Sequence, residues 1–243
     1  MATLIKPLDQ LLVAGESQPD PSWALKSIQN EECFSYIAWN TKTREALFID
    51  PKKEDLETYR QLVQELKDYL WLGVIDTHTH ADHVSIAYKM AEELKAPLIM
   101  HAASLCTRTE LRVSQATSLV THAGPIRFIP TPGHTPDSMT VIWGPFLFGG
   151  DTFLFGDVGR DDLPGGSPEA HYDSIQAIKK IAQPHLILLP GHDHKGGRAS
   201  TWATQLKLNS SLTQGREDFI QEAAAFDAPA PKLLKESLRE NFK

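Results

Sequence analysis

The segment Thr77–His83 places three histidines and an aspartate directly after an apolar run. Residues two apart at the end of an extended strand point the same way, so His78 and His80 can present both imidazoles to one point. The turn that follows can direct Asp82 and His83 to a neighbouring point. Three histidines beside a carboxylate favour metal binding over a structural role. The fold must therefore bring this strand end to a place where metal ligands can converge.

Three other positions share one pattern, in which a metal-compatible side chain follows a glycine turn after an apolar strand. They are His134 in "TPGHTPDS", Asp151 in "FLFGGDTF" and His192 in "LLPGHDH". Glycine before the ligand allows a positive φ, which lifts the next side chain above the strand end. Asp151 has two oxygens, so it can bridge two ions or complete a triad of two histidines and one carboxylate around one ion. The sequence predicts that these ligands meet at one edge of the sheets.

The first half of the chain alternates strands and helices. Apolar residues recur every three or four positions over 53–70, which predicts an amphipathic helix between two strands. A second helix and strand continue this βαβ pattern, which is typical of an α/β fold. The predicted strands are 33–40, 45–51, 70–76 and 96–102, and the predicted helices are 53–70 and 84–95.

Beyond Leu111 the chain changes to short strands interrupted by proline and glycine, which predicts a meander in a second sheet. Ser167 and Pro168 then predict the start of a helix, as N-cap and first-turn residues. From Lys195 onward the pattern is helical. We expect a single domain over 1–243 with a helical C-terminal extension from about 196. The predicted elements are strands at 125–133, 138–144, 146–156 and 185–191 and a helix at 167–182.

The charge balance limits the partners. The 243 residues include 31 acidic and 24 basic ones, for a net charge of −7, and the basic residues form no large cluster. This argues against nucleic acid or a membrane as a partner. Cys33 and Cys106 match no zinc or redox spacing, so both are interpreted as buried small hydrophobic residues in a cytoplasmic protein.

Arg160 lies in "GRDDLPGG", after Asp151, and His194 follows the His192 loop. For Arg160, a solvated turn is about as well supported as a role facing the substrate or supporting a metal ligand. Asp76 precedes the cluster, and it either orients a neighbouring imidazole or contacts the metal directly. Asp193 has the same two interpretations.

The motifs "HTHADH", "PGHT", "GGDT" and "PGH" together resemble the metallo-β-lactamase superfamily in order and spacing, over about residues 30 to 195. The resemblance implies an αββα sandwich, in which two facing sheets have helices outside and a metal site at one edge. Glyoxalase II-like thioester hydrolases and persulfide dioxygenases are the two branches that fit best.

The two branches imply different metals. In a dioxygenase, one Fe(II) per chain would be held by His78, His134 and Asp151, with coordination positions left open for oxygen chemistry. In a hydrolase, a hydroxide between two Zn(II) ions would attack a carbonyl. The two zinc ions would be held by these residues: His78, His80, His134 and Asp151 for the first, and Asp82, His83, Asp151 and His192 for the second.

Two stretches resemble the dioxygenase branch: "GRDDLPGGSPEAHYDSI" and "HDHKGGRASTWATQLKLNSSL". His194 stands where that branch commonly has a tyrosine, and Ser211 stands where it has an arginine that contacts the glutathione carboxylate. Without that arginine the two parallel hydrogen bonds to the glutathione carboxylate are lost, so glutathione persulfide need not be the preferred substrate.

The leading hypothesis is Fe(II)-dependent oxidation of a low-molecular-weight thiol persulfide with O2 to sulfite and thiol. Asp82 and Arg160 are the predicted catalytic residues, and Arg160 and His194 the predicted substrate-binding residues. The metal-binding set is His78, His80, Asp82, His83, His134, Asp151 and His192, with only His78, His134 and Asp151 bonded to the iron. The alternative is a dinuclear zinc thioester hydrolase, and a metal-binding protein without catalysis is a third class. The resemblance also implies a possible homodimer.

Overall fold

Two facing sheets organise residues 3–243, which are the residues that the computed structural model describes. In the first sheet β1–β4 are antiparallel and β4–β7 are parallel. Its strands, in order across the sheet, are β1 Leu4–Pro7, β2 Trp23–Asn30, β3 Cys33–Asn40, β4 Glu45–Ile49, β5 Leu70–Ile75, β6 Leu98–His101 and β7 Leu111–Val113.

The second sheet is antiparallel apart from one parallel pair, β11 with β12. Its strands are β12 Ile187–Pro190, β11 Phe146–Gly150, β10 Met139–Trp143, β9 Ile126–Pro130 and β8 Thr117–Leu119. The α-helices are α1 Leu8–Leu11, α2 Leu56–Glu65, α3 Ala87–Leu94, α4 Pro168–Ile181, α5 Trp202–Leu208, α6 Arg216–Ala225 and α7 Leu234–Asn241.

Alternating side chains on the strands separate three apolar layers. On β11, Phe146 and Phe148 enter the core between the sheets, whereas Leu147 packs with Ile175 of α4 on the outside. On the first sheet, Phe48 packs with the helix residue Tyr59 in the opposite outer layer. Helix, sheet, sheet and helix follow one another, so the predicted αββα sandwich is confirmed.

The local predictions are mostly confirmed. Strand β3 has the predicted bounds, and Ser167 caps α4, because its Oγ accepts a hydrogen bond from the Ala170 amide. The helix predicted over 53–70 is shorter, at Leu56–Glu65. It ends early because the chain turns back, which lets the Leu70 amide donate to the Arg44 carbonyl and begin β5 beside β4.

Helices α5, α6 and α7 follow the last strand. Phe219 of α6 packs against Tyr172 of α4, so this helix covers the outer face of the second sheet. The division into one domain with an extension stays a prediction. In residues 3–243, no helix has the length and apolar character needed to cross a membrane.

Candidate metal centre

Two imidazoles and a carboxylate converge where three strands end. His78 follows β5, His134 follows β9, and Asp151 follows β11. One ligand atom from each lies within 4.8 Å of the other two. The Asp151 Oδ2 atom is 3.5 Å from His134 Nε2 and 3.9 Å from His78 Nε2. All three side chains are buried, and together they form a two-histidine, one-carboxylate set.

The hydrogen bonds of His78 determine its tautomer. The Thr77 hydroxyl donates its one proton to Asp50, across 2.8 Å, so it accepts from Nδ1–H of His78, 3.0 Å away. The His78 Nε2 atom therefore carries a lone pair, and it is buried without a hydrogen-bond partner among the described residues. Burial, together with the neighbouring charge of His80, holds the pKa of His78 well below its usual value, so the ring is neutral.

A backbone carbonyl sets the tautomer of His134. Its Nδ1 atom is 2.6 Å from the Arg160 carbonyl oxygen, which can only accept, so Nδ1 bears the proton. The Nε2 atom thus directs a lone pair toward Asp151. Two imidazole lone pairs and a carboxylate oxygen repel one another in a buried site unless a cation lies between them. The residues therefore fit a divalent metal ion.

His192 connects this triad to a second group of side chains. Its Nδ1 atom is 2.6 Å from Asp151 Oδ1, and its Nε2 atom is 2.8 Å from Asp82 Oδ2. Carboxylates accept hydrogen bonds, so both ring nitrogens act as donors. Burial opposes a charged ring, but the two carboxylates outweigh it and raise the pKa of His192 well above its usual value. In this arrangement His192 is an imidazolium that ties Asp82 to Asp151.

The second group contains Cys33, Asp82, His83 and His192, whose ligand atoms also lie within 4.8 Å of one another. The Cys33 thiol donates to Asp82 across 3.0 Å, and His83 Nδ1 is 3.3 Å from the same carboxylate. Burial raises the pKa of the thiol, but the hydrogen bonds to His192 and His83 lower it by more. The pKa of Cys33 is therefore below its usual value. Cys33 is buried as interpreted from sequence, but it lies in a group of metal-compatible side chains.

The His80 ring lies against that of His78, with ring centroids 4.2 Å apart, and beside two buried carboxylates. Its Nε2 atom is 3.4 Å from Asp50 and 3.8 Å from Asp76. Burial alone would favour the neutral ring, but Asp50 and Asp76 outweigh it and raise the pKa of His80 well above its usual value. The zinc-hydrolase assignment places His80 with His78 on one ion, whereas this group, Asp50, Asp76 and His80, forms a third potential cation site.

Sequence reasoning missed Asp50, although a signal for it exists. Strands β4 and β5 are parallel neighbours, with Ile49 paired to Ile75, so the residue after Ile49 must lie beside the start of the histidine cluster. Asp50 accepts hydrogen bonds from both the amide and the hydroxyl of Thr77. It thereby fixes the hydroxyl that orients His78.

The glycines before the ligands serve two different purposes. Gly150 has φ of +51°, as expected, and a Cβ there would lie 2.6 Å from the Thr77 hydroxyl oxygen. For Gly191 the expected positive φ is wrong. Glycine is needed there because a Cβ would lie 2.6 Å from Asp151 Oδ1. The close approach of the carboxylate, rather than the backbone angle, requires glycine before His192.

A cleft of about 1210 Å³ opens onto the centre. His134, Asp151 and His192 line it, as do Arg160 and Ser211. This volume exceeds what a small thiol persulfide occupies and is larger than the roughly 300–1,000 Å³ of a typical ligand pocket.

The two predicted substrate residues at the cleft are already engaged. Arg160 binds Asp162 through two hydrogen bonds of 2.6 Å, and it donates to the carbonyls of Ala228 and Pro229 at 2.9 Å. Its guanidinium group therefore holds the segment after α6 against the cleft. His194 is half exposed, and its Nδ1 atom lies 2.8 Å from Glu32. Their roles in substrate binding stay predictions.

Among curated proteins, the chain is 28% identical over 219 residues to persulfide dioxygenase ETHE1 of Homo sapiens, a mitochondrial protein, and the match covers 86% of this chain and 83% of that protein. It is 31% identical over 168 residues to a probable polyketide biosynthesis zinc-dependent hydrolase, PksB of Bacillus subtilis, and that match covers 65% and 72%.

The solved structure of ETHE1 from Myxococcus xanthus has a TM-score of 0.82 and 28% identity to this chain, and the match covers 90% of this chain and 97% of that one. Residues 72–192, which include all seven predicted metal-binding residues from His78 to His192, match the family model of the metallo-beta-lactamase superfamily. The conclusion agrees with the fold and with the buried metal-compatible centre: the chain belongs to the metallo-beta-lactamase superfamily.

Proposed function

We propose that the protein is an Fe(II)-dependent persulfide dioxygenase, which oxidises a low-molecular-weight thiol persulfide with O2 to sulfite and thiol. One persulfide, one O2 and one water give one thiol, one sulfite and two protons. The S–S bond breaks, the terminal sulfur loses four electrons, and O2 gains four. The small-molecule partners are therefore the persulfide and O2, and the cofactor is one Fe(II) per chain.

The observation that carries this proposal is the triad of His78, His134 and Asp151. Two histidines and a carboxylate that leave other coordination positions free are the ligand set of non-haem Fe(II) oxygenases. Each of the two rings has its Nδ1–H bonded elsewhere, so each Nε2 lone pair is available to the metal. When bound, Fe(II) would supply the coordination positions and the electrons that O2 chemistry requires.

The protein's own side chains would keep this triad in place. Asp50 and Thr77 orient His78, and the Arg160 carbonyl orients His134. His192 binds the Asp151 oxygen that does not face the two histidines. With both nitrogens bonded to carboxylates, His192 would act in place of a second ion.

A dinuclear zinc hydrolase of thioesters is the second candidate. The group of Cys33, Asp82, His83 and His192 favours it, because thiolate, carboxylate and imidazole are zinc ligands. The likeness to the zinc-dependent hydrolase of Bacillus subtilis supports it as well. In that case Asp82 would bind the second ion and His192 would have to give up a hydrogen bond to a carboxylate.

The deciding experiment measures metal and reaction together. The protein is purified without added metal, its iron and zinc are counted per chain, and O2 uptake is followed with glutathione persulfide and cysteine persulfide. About one iron with persulfide-dependent O2 uptake is the expected result. Two zinc ions with thioester hydrolysis and no O2 uptake would overturn the proposal in favour of the hydrolase. Asp151→Asn is the matched inactive control for both activities.

Two further assignments stay predictions. The mammalian ETHE1 relatives are named as mitochondrial, whereas a cytoplasmic location is expected for this chain. A homodimer is expected from the family resemblance alone.

A further inference from the structure

A side chain that is distant in sequence holds the loop that follows His78. Asn241, at the end of α7, donates through Nδ2 to the carbonyls of His80, at 2.9 Å, and of His83, at 3.0 Å. Its Oδ1 atom accepts from the Ser85 amide at 2.8 Å. The side chain is buried, with 8% of its surface exposed. Three polar contacts thus join α7 to one short segment of the metal centre.

The chemistry of the side chain matches this segment. A carboxamide has two N–H donors and one carbonyl acceptor, and the loop offers two carbonyls and one amide in the same place. The isosteric aspartate would keep the bond to the Ser85 amide but would set a carboxylate oxygen against two carbonyl oxygens. Alanine would leave the carbonyls of His80 and His83 without these donors.

The loop needs such a partner because it forms neither helix nor extended strand between His80 and His83. Its buried backbone groups must be satisfied from elsewhere in the molecule. The same loop carries Asp82, which binds His192, and His192 in turn binds Asp151. A change in the loop would therefore reach the metal triad through hydrogen bonds.

Contacts other than those of Asn241 also hold the end of α7 in place. The Thr107 amide donates to the Phe242 carbonyl at 3.3 Å, and the Thr107 hydroxyl donates to the Lys243 carbonyl. These contacts attach the same end of α7 to the loop between β6 and β7. Removing one of them tests the docking of α7 without touching the metal loop.

We propose that Asn241 is a positioning residue for the metal centre, which holds the His80–Ser85 loop so that Asp82 reaches His192. The proposal rests on the metal site of the proposed function, but it does not depend on which substrate is used. Side chains that orient metal ligands from outside typically change metal affinity by about 10–100-fold when they are replaced. We expect a change of this size in the affinity for Fe(II).

The test compares Asn241→Ala and Asn241→Asp with Thr107→Val in the full chain. Fe(II) affinity is measured by competition with a chelator, and the ferrous site is examined by the EPR spectrum of its nitric oxide adduct. Both Asn241 variants are expected to bind Fe(II) about 10–100-fold more weakly and to show an altered spectrum. Thr107→Val is expected to keep the affinity and the spectrum of the wild type.

Folding is checked separately by circular dichroism of each metal-free variant. If Asn241→Ala does not fold, the isosteric Asn241→Asp decides the question. A folded Asn241 variant with wild-type Fe(II) affinity and spectrum would overturn the proposal, and so would an equal loss in Thr107→Val. If the wild type binds zinc instead of iron, the proposed function fails, and the same competition with Zn(II) still tests Asn241.

Discussion

The two oxygens of Asp151 have different partners: Oδ1 lies 2.6 Å from Nδ1 of His192, whereas Oδ2 lies 3.5 Å from Nε2 of His134. The hydrogen bond to Oδ1 fixes the plane of the carboxylate. Oδ2, which faces the two histidines, is then the oxygen that remains available to an ion held by the triad.

The two aspartates of the centre are expected to respond differently to substitution. Asp151→Asn removes the anionic ligand of the triad, so we expect it to lose nearly all of its iron. Asp82→Asn leaves the three ligands in place and removes the carboxylate that Asn241 helps to position, so we expect it to bind Fe(II) about 10–100-fold more weakly, as the Asn241 variants do, but still to hold iron and keep a measurable part of its activity. Iron per chain, measured by elemental analysis after purification, checks both. Complete loss of iron from Asp82→Asn would instead indicate a two-metal site.

Thr77 is expected to tune the affinity of His78 for metal. Its hydroxyl joins Asp50 to Nδ1 of His78, and this chain fixes the ring and its tautomer. Thr77→Val removes the hydroxyl at nearly constant volume, and we expect Fe(II) affinity to fall about 10–100-fold. Thr77→Ser keeps the hydroxyl and is the matched control, with affinity near that of the wild type. Equal affinities in the valine and serine variants would contradict a role for the hydroxyl.

Replacement of Arg160 is expected to change substrate use more than metal content. The side chain binds Asp162 and the carbonyls of Ala228 and Pro229, while only its backbone carbonyl contacts His134. Arg160→Ala releases the segment that the guanidinium group holds against the cleft, so we expect KM to rise about fivefold, which corresponds to on the order of 1 kcal/mol of substrate binding. Steady-state O2 uptake measures this effect. Arg160→Lys keeps the positive charge but lacks the planar guanidinium group, so it separates the contributions of charge and of hydrogen-bond geometry. An iron-free Arg160→Ala protein would show that the role is structural.

Gly150 and Gly156 form a matched pair for measuring the crowding beside the metal centre. Both have positive φ, +51° at Gly150 and +70° at Gly156. A Cβ at Gly150 would lie against Thr77, whereas a Cβ at Gly156 would have no atom within 4 Å. We expect Gly156→Ala to lower the free energy of unfolding by about 1 kcal/mol, and Gly150→Ala to lower it by about 2–3 kcal/mol or more. Urea unfolding of the metal-free proteins checks this difference. Equal losses would mean that Thr77 moves aside without cost.

The sequence predicts much of this fold because its signals are local. The apolar period of α2 and the N-cap Ser167 of α4 lie within a few residues of the elements they define. The glycine turns before His134 and Asp151 likewise identify the ends of strands. Local patterns of this kind were enough to place the ligands at one edge of the sheets.

The surroundings of the ligands could not be predicted in the same way. Cys33 and Asp50 precede the histidine cluster and reach it only through strand pairing in the first sheet. Asn241 reaches it from α7, across more than half of the chain. The pairing of His80 with Asp50 also follows from strand order. Such contacts depend on tertiary packing, which no short motif records.

The triad draws its members from both layers of the sandwich. His78 follows a strand of the first sheet, whereas His134 and Asp151 follow strands of the second. An ion bound by all three would cross-link the layers, much as a disulfide links distant parts of a chain. Loss of the ion would remove this cross-link, and the edge between β5 and β11 would then be the first to exchange its amide hydrogens with solvent. Loading with iron would thus protect the fold itself against unfolding and proteolysis.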